Sequence, residues 1–380
     1  MAVYRIRAQE PVIEANFRTD IHQNPGMPIP GECGTMVANK KTGAEDGYLT
    51  YQSVNTDGLR YGMAVRITSN GRQKVEYGRI FVEEASEIVL TIRSFIKESG
   101  EGGADRAKAY LGSLEEAYET LFDRHVPLHQ ARYHSAGLEF GGYQDTDNED
   151  LIAQAFAGEQ SPELMEKMWK YGRYLFISGT DENANPCPLY GLWGGSYDLI
   201  WCHNMANENT QMIYWHSFVG NLAEYHKALF HYYNERMDIY RTNARNLYGC
   251  RGIYMTAGTT PGVSTPNQVV PVIMNWVGAA GWLAQHYCSY AAYRPEEEEY
   301  IRTEICPYLE AVADFYEDFI CYKEDGSIKL YPSVSPENTP QNFMPPLSEM
   351  IAHPMPTTIN STIDLAIVKE FFTNLIQLGN

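Results

Sequence analysis

Two asparagines, Asn207 and Asn209, carry the first candidate chemistry in this chain of 380 residues. They lie in the run WCHNMANENTQMIYWH, Trp201 to His216, where amide side chains stand beside large apolar ones. Amides are costly to bury without partners, and Asn is a poor residue inside a helix. In an extended segment entering a helix, both side chains would point to the same side. Two carboxamides aimed at one point could hold a water molecule or a sugar hydroxyl. The alternative is a helix N-cap with surface amides.

A second candidate is Glu337, in the loop Leu330 to Phe343, LYPSVSPENTPQNF. A carboxyl group held in a stiff loop near aromatic side chains such as Tyr331 can have its pKa raised by burial, which would suit a general acid. The alternative is a helix cap or a surface turn. The sequence contains no glycine-rich phosphate loop, no HExxH and no GxSxG. It predicts neither a metal site nor a cofactor.

The region that holds these residues has the pattern of a helical domain. Beyond about residue 107 the apolar residues recur every 3.6 residues or so. Leu111 to Leu121 is predicted as one apolar stripe on a helix that continues towards His134. Ser161 and Pro162 are typical of a helix start, and the broad apolar face that follows predicts a helix buried on much of its circumference. Further helices are predicted over residues 211–246, 268–293, 296–322 and 361–378.

Two long loops, Ser178 to Glu208 and Lys323 to Asn360, connect these helices. Loops of this length inside a compact domain are uncommon and usually functional. Long helices joined in this way predict a helical toroid or bundle, with a site formed by the loops at one end.

The region from Tyr48 to Ile96 has a strand-like pattern instead. Alternating runs cover residues 61–68, 74–82 and 88–95, and the pair Asn70-Gly71 between two of them predicts a hairpin. Residues 1–47 contribute little periodicity. An antiparallel sheet is therefore predicted, with few strands for a free-standing sandwich. The glycine-rich stretch Lys97 to Ala107 is taken as the domain boundary.

Composition narrows the choice of partners. The net charge of −19 argues against nucleic acid or an anionic membrane as partner, because both favour a basic surface.

The seven cysteines form no CxxC pair, so free thiols in a reducing cytoplasm are the simplest interpretation. No secretory signal and no transmembrane run is apparent. The 28 tyrosines suit a sugar-binding protein, and equally a large helical core. The oligomeric state is left open.

Several motifs in one order resemble glycoside hydrolase family 95, the inverting α-L-fucosidase family. They lie within the span from His125 to Asp364, which makes the signal far more specific than one tripeptide. The matching pieces are YGRYL (171–175), LYGLW (189–193), NENTQMIYW (207–215), GCRG (249–252), SVSPEN (333–338) and STID (361–364).

The resemblance implies an (α/α)6 barrel preceded by a β-sandwich, and a glycan substrate. Glu337 would be the general acid that protonates the glycosidic oxygen. Asn207 and Asn209 would position the attacking water, and Trp193 would contact the sugar. An inverting enzyme keeps its acid and base groups roughly 6.5–9.5 Å apart. Because amides are weak proton acceptors, a carboxylate must stand behind them; the family supplies it as an aspartate from a much later motif.

The chain departs from the family pattern in two ways. It ends at Asn380, before the aspartate motif, and its strand region is short. We therefore expect a fragment with weak activity by itself: a partial β-sandwich over 1–100, a helical linker over 101–160 and an incomplete barrel over 161–380. Met205 stands where many relatives carry a sugar-recognising His, so a sugar related to L-fucose, such as L-galactose, is possible. An inactive carbohydrate-binding relative and a helical scaffold without a ligand are the alternatives.

Overall fold

The computed structural model describes residues 1–21, 39–55, 58–115, 117–194, 203–259, 275–336, 338 and 357–379. The chain divides into two compact units. The first covers the described part of Met1–His129, and the second covers Gln130–Gly194 with the described residues from 203 onward. The three domains drawn from the sequence stay a prediction.

The first unit is built on two antiparallel sheets. The strands are β1 (Ala2–Arg7), β2 (Ile13–Phe17), β3 (Lys41–Glu45), β4 (Tyr48–Val54), β5 (Arg60–Ser69), β6 (Arg72–Glu76), β7 (Arg79–Ala85) and β8 (Glu87–Glu98). One sheet has the order β1-β8-β5-β4-β3 and the other the order β2-β7-β6. The antiparallel pairing predicted for this region is confirmed. The strands β1, β2 and β3 were missed, although β2, IEANF, alternates in burial along its whole length.

Both sheets contribute to one apolar core. Leu49 and Ile67 come from the larger sheet, and Ile80 and Val82 from the smaller one. Every second residue of β4 is buried, as expected for a strand with one face on a core. Helix α1 (Gly103–Gly112) packs against β5 and β8. The end of the glycine-rich stretch is therefore part of this packed unit.

The hairpin predicted at Asn70-Gly71 is wrong. This pair joins β5 to β6, which lie in different sheets. Asn70 Oδ1 accepts hydrogen bonds of 3.0 Å from the backbone N–H groups of Ser86 and Glu87, so its side chain braces the turn between β7 and β8. The predicted strand over 74–82 is two strands joined at Tyr77-Gly78. These residues have φ of 51° and 69°, the conformation of a tight type I′ hairpin.

The remaining helices and short strands are as follows. The helices are α2 (Tyr118–Tyr133), α3 (Asn148–Phe156), α4 (Pro162–Gly179), α5 (Asn209–Val219), α6 (His226–Asn234), α7 (Met237–Tyr248), α8 (Ala279–Tyr293), α9 (Cys306–Phe319) and α10 (Thr362–Leu378). The short strands are β9 (Asn204–Met205), β10 (Gly258–Thr259), β11 (Cys321–Tyr322) and β12 (Ile328–Lys329). None of the described helices is long and apolar enough to cross a membrane.

Three predicted helices are broken or shortened in the structure. The stripe after Leu111 divides into α1 and α2. The helix predicted over 211–246 is interrupted after Val219, where Asn221 adopts a left-handed φ of 56° that ends a helix. Of the predicted helix 268–293, only α8 from Ala279 lies in helix among the described residues. A π-turn over Ile301–Ile305 precedes Pro307, whose ring cannot donate a backbone hydrogen bond.

Helix α4 begins as predicted, but much of the apolar face that was expected to be buried is exposed. Ser161 caps it by accepting a hydrogen bond of 3.2 Å from the Leu164 N–H. Met165 and Met168 are 57% and 65% exposed, whereas Glu163 and Glu166 are buried. The apolar periodicity of α4 was predicted correctly, but the face of the helix that is buried was not.

Polar groups of other segments explain why charged side chains of α4 are buried. Glu166 accepts a hydrogen bond of 2.5 Å from the Phe140 N–H, and Glu163 accepts one of 2.8 Å from the Thr146 N–H. Arg173 donates to the backbone oxygens of Tyr133 and Gly220 at 2.8 and 2.6 Å. The charged face of α4 thus satisfies backbone groups that would otherwise lack partners.

The core of the second unit is rich in aromatic side chains. Tyr287 and Tyr308 stack with ring centroids 3.9 Å apart. Two buried histidines lie beside them in this core: His226 Nε2 is 3.1 Å from His286 Nδ1, and Ser217 Oγ is 3.2 Å from His226 Nδ1. Eleven of the 28 tyrosines are buried in the part of the chain that the structure describes, and most of these belong to this core.

Candidate active site

The segment before the two asparagines is held by a short antiparallel pair of strands. Met205 of β9 lies opposite Gly258 of β10, and the Ala206 N–H donates to the Ala257 oxygen at 2.6 Å. The chain then turns over residues 206–208 and enters α5 at Asn209. The prediction that these amides lie where a loop enters a helix is confirmed. The extended geometry is wrong, because the strand ends at Met205 and a turn follows.

Asn207 is not a helix cap. The N-cap position is taken by Glu208, whose side chain makes no capping hydrogen bond. Asn207 Oδ1 is buried, and within the described part of the chain it accepts no hydrogen bond. An amide oxygen in this state is rare in proteins and can accept a hydrogen bond from a water molecule or a ligand hydroxyl. Asn209 is half-buried at the first helical position, beside N–H groups that the helix itself leaves unpaired.

A group of buried polar side chains surrounds this corner, and sequence reasoning missed most of it. Among the described residues, buried oxygens without a hydrogen-bond partner occur on Asn204, Thr210, Gln211 and Thr259. Thr259 lies opposite Asn204 in the strand pair. The hydroxyl of Tyr233 lies towards Thr210 and Thr259, without a hydrogen bond of normal geometry, and burial raises its pKa. Asn204 and Gln211 belong to the polar run around Asn207, whereas nothing in the sequence singles out Thr259.

Met205 and His203 lie side by side. Met205 is 3% exposed, and its sulfur lies 2.8 Å from His203 Nε2. Burial lowers the pKa of His203 from its ordinary value, which favours the neutral imidazole. His203 is therefore a polar group in direct contact with Met205.

Trp193 lies at a cavity of the second unit. Its side chain is 48% exposed and forms part of the wall of a cavity of about 600 Å³. Gly191 is required next to it, because a Cβ at that position would lie 2.5 Å from the indole ring. The described lining includes neither Asn207 nor Asn209, so the structure does not bring Trp193 and the amides into one cavity. That lining comprises Trp169, Tyr171, Gly172, Arg173, Leu175, Phe176, Cys187, Pro188, Leu189, Tyr190, Gly191, Trp193, Met212, Ile213 and His216.

Glu337 lies outside the described residues, but the residues just before it are well anchored. Ser333 and Val334 are buried. The Asn338 N–H donates to the Ser335 oxygen at 2.6 Å. The role of Glu337 as an acid stays a prediction.

Comparison with known proteins identifies the family of this chain. The model of the glycosyl hydrolase family 95 catalytic domain matches residues 117–380. The chain belongs to this family. The family prediction is confirmed, and the matched part of this family 95 chain contains both candidate loops.

The family 95 chain is similar to named fucosidases over part of their length. It is 26% identical over 342 residues to α-L-fucosidase 2 of Arabidopsis thaliana, a match that covers 84% of this chain and 40% of that protein. It is 27% identical over 244 residues to "Probable alpha-fucosidase A" of Aspergillus niger, covering 61% of this chain and 30% of that protein. The chain thus spans less than half the length of these relatives.

A solved structure shares the fold of this family 95 chain. It is assigned as a kojibiose phosphorylase from the human microbiome, and it matches with a TM-score of 0.61 at 12% identity. The match covers 96% of this chain and 44% of that one. At this identity the likeness concerns the fold alone.

Proposed function

We propose that this chain forms part of a glycoside hydrolase that cleaves α-L-fucosides, or glycosides of a related L-sugar, with inversion. The proposal rests on one observation above all: the family 95 match extends over residues 117–380 and includes both candidate loops. The predominantly helical second unit and the likeness in fold support an (α/α)6 barrel as the architecture of the catalytic domain.

In the proposed mechanism, Asn207 and Asn209 hold the attacking water. The buried, unused oxygen of Asn207 supports this role, because it can accept a hydrogen bond from that water. Glu337 protonates the glycosidic oxygen as the bond breaks. A carboxylate must polarise the amides, since amides alone are weak bases. The acid and the water lie on opposite faces of the sugar ring.

Sugar recognition is proposed to involve Trp193 and the pair of His203 and Met205. A half-exposed indole offers an apolar face to a sugar ring. Met205 cannot donate a hydrogen bond to a hydroxyl, whereas the neighbouring His203 can. A sugar-binding role for His203 in place of Met205 supports a sugar closely related to L-fucose, with L-galactose as the second candidate.

The test is hydrolysis of aryl α-L-fucosides and aryl α-L-galactosides by the purified chain. We expect slow release of sugar, with the β-anomer appearing first in proton NMR spectra. Glu337→Gln should lower kcat by about 10²- to 10⁴-fold. Glu324→Gln, a matched change at an exposed glutamate, should leave kcat unchanged.

Two outcomes would contradict the proposal. A folded chain that releases no sugar from any α-L-glycoside excludes hydrolysis by this chain. Binding of L-fucose in calorimetry without turnover would then support the alternative, an inactive carbohydrate-binding relative. Release of the α-anomer first would contradict inversion.

A further inference from the structure

Three buried side chains join the loop before Glu337 to the start of α10. Ser333 Oγ lies 2.6 Å from Asp364 Oδ2 and 2.9 Å from Ser361 Oγ. Ser361 Oγ lies 2.9 Å from the same carboxylate oxygen. All three residues are buried. Ser333 is separated from Asp364 by 31 positions, so this triangle is a contact between two segments and not a local turn.

The triangle is a helix-capping arrangement with a third group inserted. Ser361 is the N-cap of α10, and its hydroxyl accepts from the Asp364 N–H. In an ordinary capping box, the acidic side chain at the third helical position accepts from the N–H of the N-cap residue. Here the Ser361 N–H donates instead to Ser333 Oγ at 2.9 Å, and Ser333 Oγ donates to Asp364. A hydroxyl from the loop therefore completes the cap.

Backbone hydrogen bonds hold the same segment on both sides of Ser333. Ser333 and Thr358 exchange two of them, at 3.1 and 2.8 Å. Nearby, Asn360 Oδ1 accepts from the Leu330 N–H at 2.7 Å. The residues from Leu330 to Ser333 are thus fixed to the segment that leads into α10.

Asp364 carries the charge at the centre of this arrangement. Burial raises its pKa, while the hydroxyls of Ser333 and Ser361 counteract that change. Its second oxygen, Oδ1, has no hydrogen-bond partner among the described residues, although the Trp276 indole lies towards the carboxylate. A buried carboxylate depends strongly on the hydroxyls that it retains.

We propose that Asp364, acting through Ser333, is a positioning residue that fixes the backbone carrying Glu337. This inference rests on the proposed function for the role of Glu337. The clamp itself rests on the contacts of Ser333, Ser361 and Asp364. The clamp gives the two motifs a shared purpose, because STID contributes Ser361 and Asp364 and SVSPEN contributes Ser333 to the same hydrogen-bonded triangle.

The experiment compares Asp364→Ala, Ser333→Ala and Asp364→Asn in the full chain by hydrogen exchange and kinetics. Ser333→Ala leaves Asp364 free to accept from the Ser361 N–H, so α10 should keep its protection. In Ser333→Ala and Asp364→Ala, hydrogen exchange over residues 328–336 and 357–361 should rise at least about tenfold. Asp364→Asn retains an oxygen that can accept a hydrogen bond from Ser333, so its exchange rate should lie between those of wild type and Asp364→Ala. Val368→Ala, a buried change one turn later in α10, is the matched control and should leave exchange over 328–336 unchanged.

The kinetic measurement separates positioning from a merely structural role. Ser333→Ala should lower kcat by roughly 10- to 100-fold, with KM little changed, because a small displacement of the acid affects the chemical step most. If exchange over 328–336 is unchanged in both Ser333→Ala and Asp364→Ala, the clamp is refuted whatever the activity. If exchange rises but kcat does not fall, the positioning role is refuted. If the wild-type chain has no activity, the proposed function fails, and exchange still decides whether the clamp exists.

Discussion

At the scale of single residues, the amide of Asn207 is the most informative group. Its oxygen is buried, is not used in capping and accepts no hydrogen bond from the residues that the structure describes. Asn207→Ala should lower kcat on aryl α-L-fucosides by about 10²-fold, because the attacking water loses one of its positioning groups. Initial-rate kinetics would measure this, with KM expected to change little.

The control for this change is Asn246→Ala on the exposed side of α7. It removes the same side chain far along the sequence from the candidate loops and should leave kcat unaltered. Equal losses in Asn207→Ala and Asn246→Ala would indicate general destabilisation, and the proposed role of Asn207 would be abandoned.

Sequence reasoning found the polar groups that stand out chemically and missed those that the fold brings to them. Asn207 and Asn209 could be singled out because amides are unusual in a run of large apolar residues. Thr259 is an ordinary residue in the sequence, and only the pairing of β9 with β10 places it beside Asn204. The spatial relation of Trp193 to the amides also depends on tertiary packing, which a motif does not encode.

At the scale of elements, the turn at Tyr77-Gly78 gives a direct test of the corrected hairpin. Both residues have positive φ, and Tyr77 is 91% exposed, so its ring contributes little packing. Tyr77→Asn should stabilise the first unit by about 0.5–1 kcal/mol, because Asn-Gly is favoured in a type I′ turn. Thermal melts followed by circular dichroism would measure the change.

Gly78→Ala tests the same turn with a substitution that should destabilise it. A Cβ there would meet no atom within 4 Å, so only its left-handed backbone opposes the substitution. That conformation costs an L-residue about 1–2 kcal/mol. A hairpin that tolerates Gly78→Ala without loss, and gains nothing from Tyr77→Asn, would contradict the assigned turn.

The exposed apolar face of α4 leads to a second test on an element. Met165→Gln with Met168→Gln should change the free energy of unfolding by no more than about 0.5 kcal/mol, because both side chains are exposed. Phe176→Ala on the same helix removes a side chain that is 4% exposed and should cost about 3–5 kcal/mol. All six tryptophans lie beyond residue 160, so their fluorescence in urea reports on this unit. A large loss in the double Gln variant would show that the face is buried after all.

Periodicity predicted where helices exist better than where they end or which face they bury. The N-cap at Ser161 could be predicted, because Ser followed by Pro is typical of a helix start, and its hydroxyl does accept a hydrogen bond from the Leu164 N–H. The end of the helix near Asn221 could not be predicted, because Asn is tolerated at many helix positions and ends a helix only when its backbone adopts the left-handed conformation. The face of α4 was mistaken because buried carboxylates and Arg173 bind backbone groups that are distant in sequence.

At the scale of the whole molecule, the buried histidines make stability depend on pH. Burial lowers the pKa of His286 from 6.5 to about 3, and lowers that of His226 well below its ordinary value. In the unfolded chain both would take up protons as the pH falls below about 6.5, while the folded chain would not. Stability should therefore fall with decreasing pH, and the slope for each histidine should approach about 1.4 kcal/mol per pH unit once the pH is well below 6.5.

Urea denaturation at pH 7.5, 6.5 and 5.5 would measure this slope above the range where carboxylates titrate. His286→Gln should reduce the total loss of stability between pH 7.5 and pH 5.5 by about 1.4 kcal/mol. His231→Gln, at a side chain that is 71% exposed, should leave it unchanged. A slope that is the same in His286→Gln and wild type would show that this residue is not neutral in the folded state.

The overall character of the molecule could be predicted further than its geometry. A strand region followed by a helical region, and the family itself, followed from periodicity and from motifs in a fixed order. Strand β3 could not be predicted, because its own sequence, KTGAE, alternates poorly and it is held by pairing along its whole length with β4. The structure describes where Asn207 and Asn209 lie, and their catalytic role, like that of Glu337, stays a prediction.

The buried carboxylates of α4 have a consequence for how the chain would respond to acid and to proteases. The N–H of Phe140 holds the pKa of Glu166 below its ordinary value, so this contact favours the ionised carboxylate and weakens as the pH falls. The segment from Phe140 to Gln144 is exposed, and Glu163 and Glu166 accept from its backbone at Gln144 and Phe140. Because the pKa of each carboxylate lies below its ordinary value, mild acid should leave this segment in place, and its cleavage by proteases should rise only in strong acid, where the carboxylates take up protons.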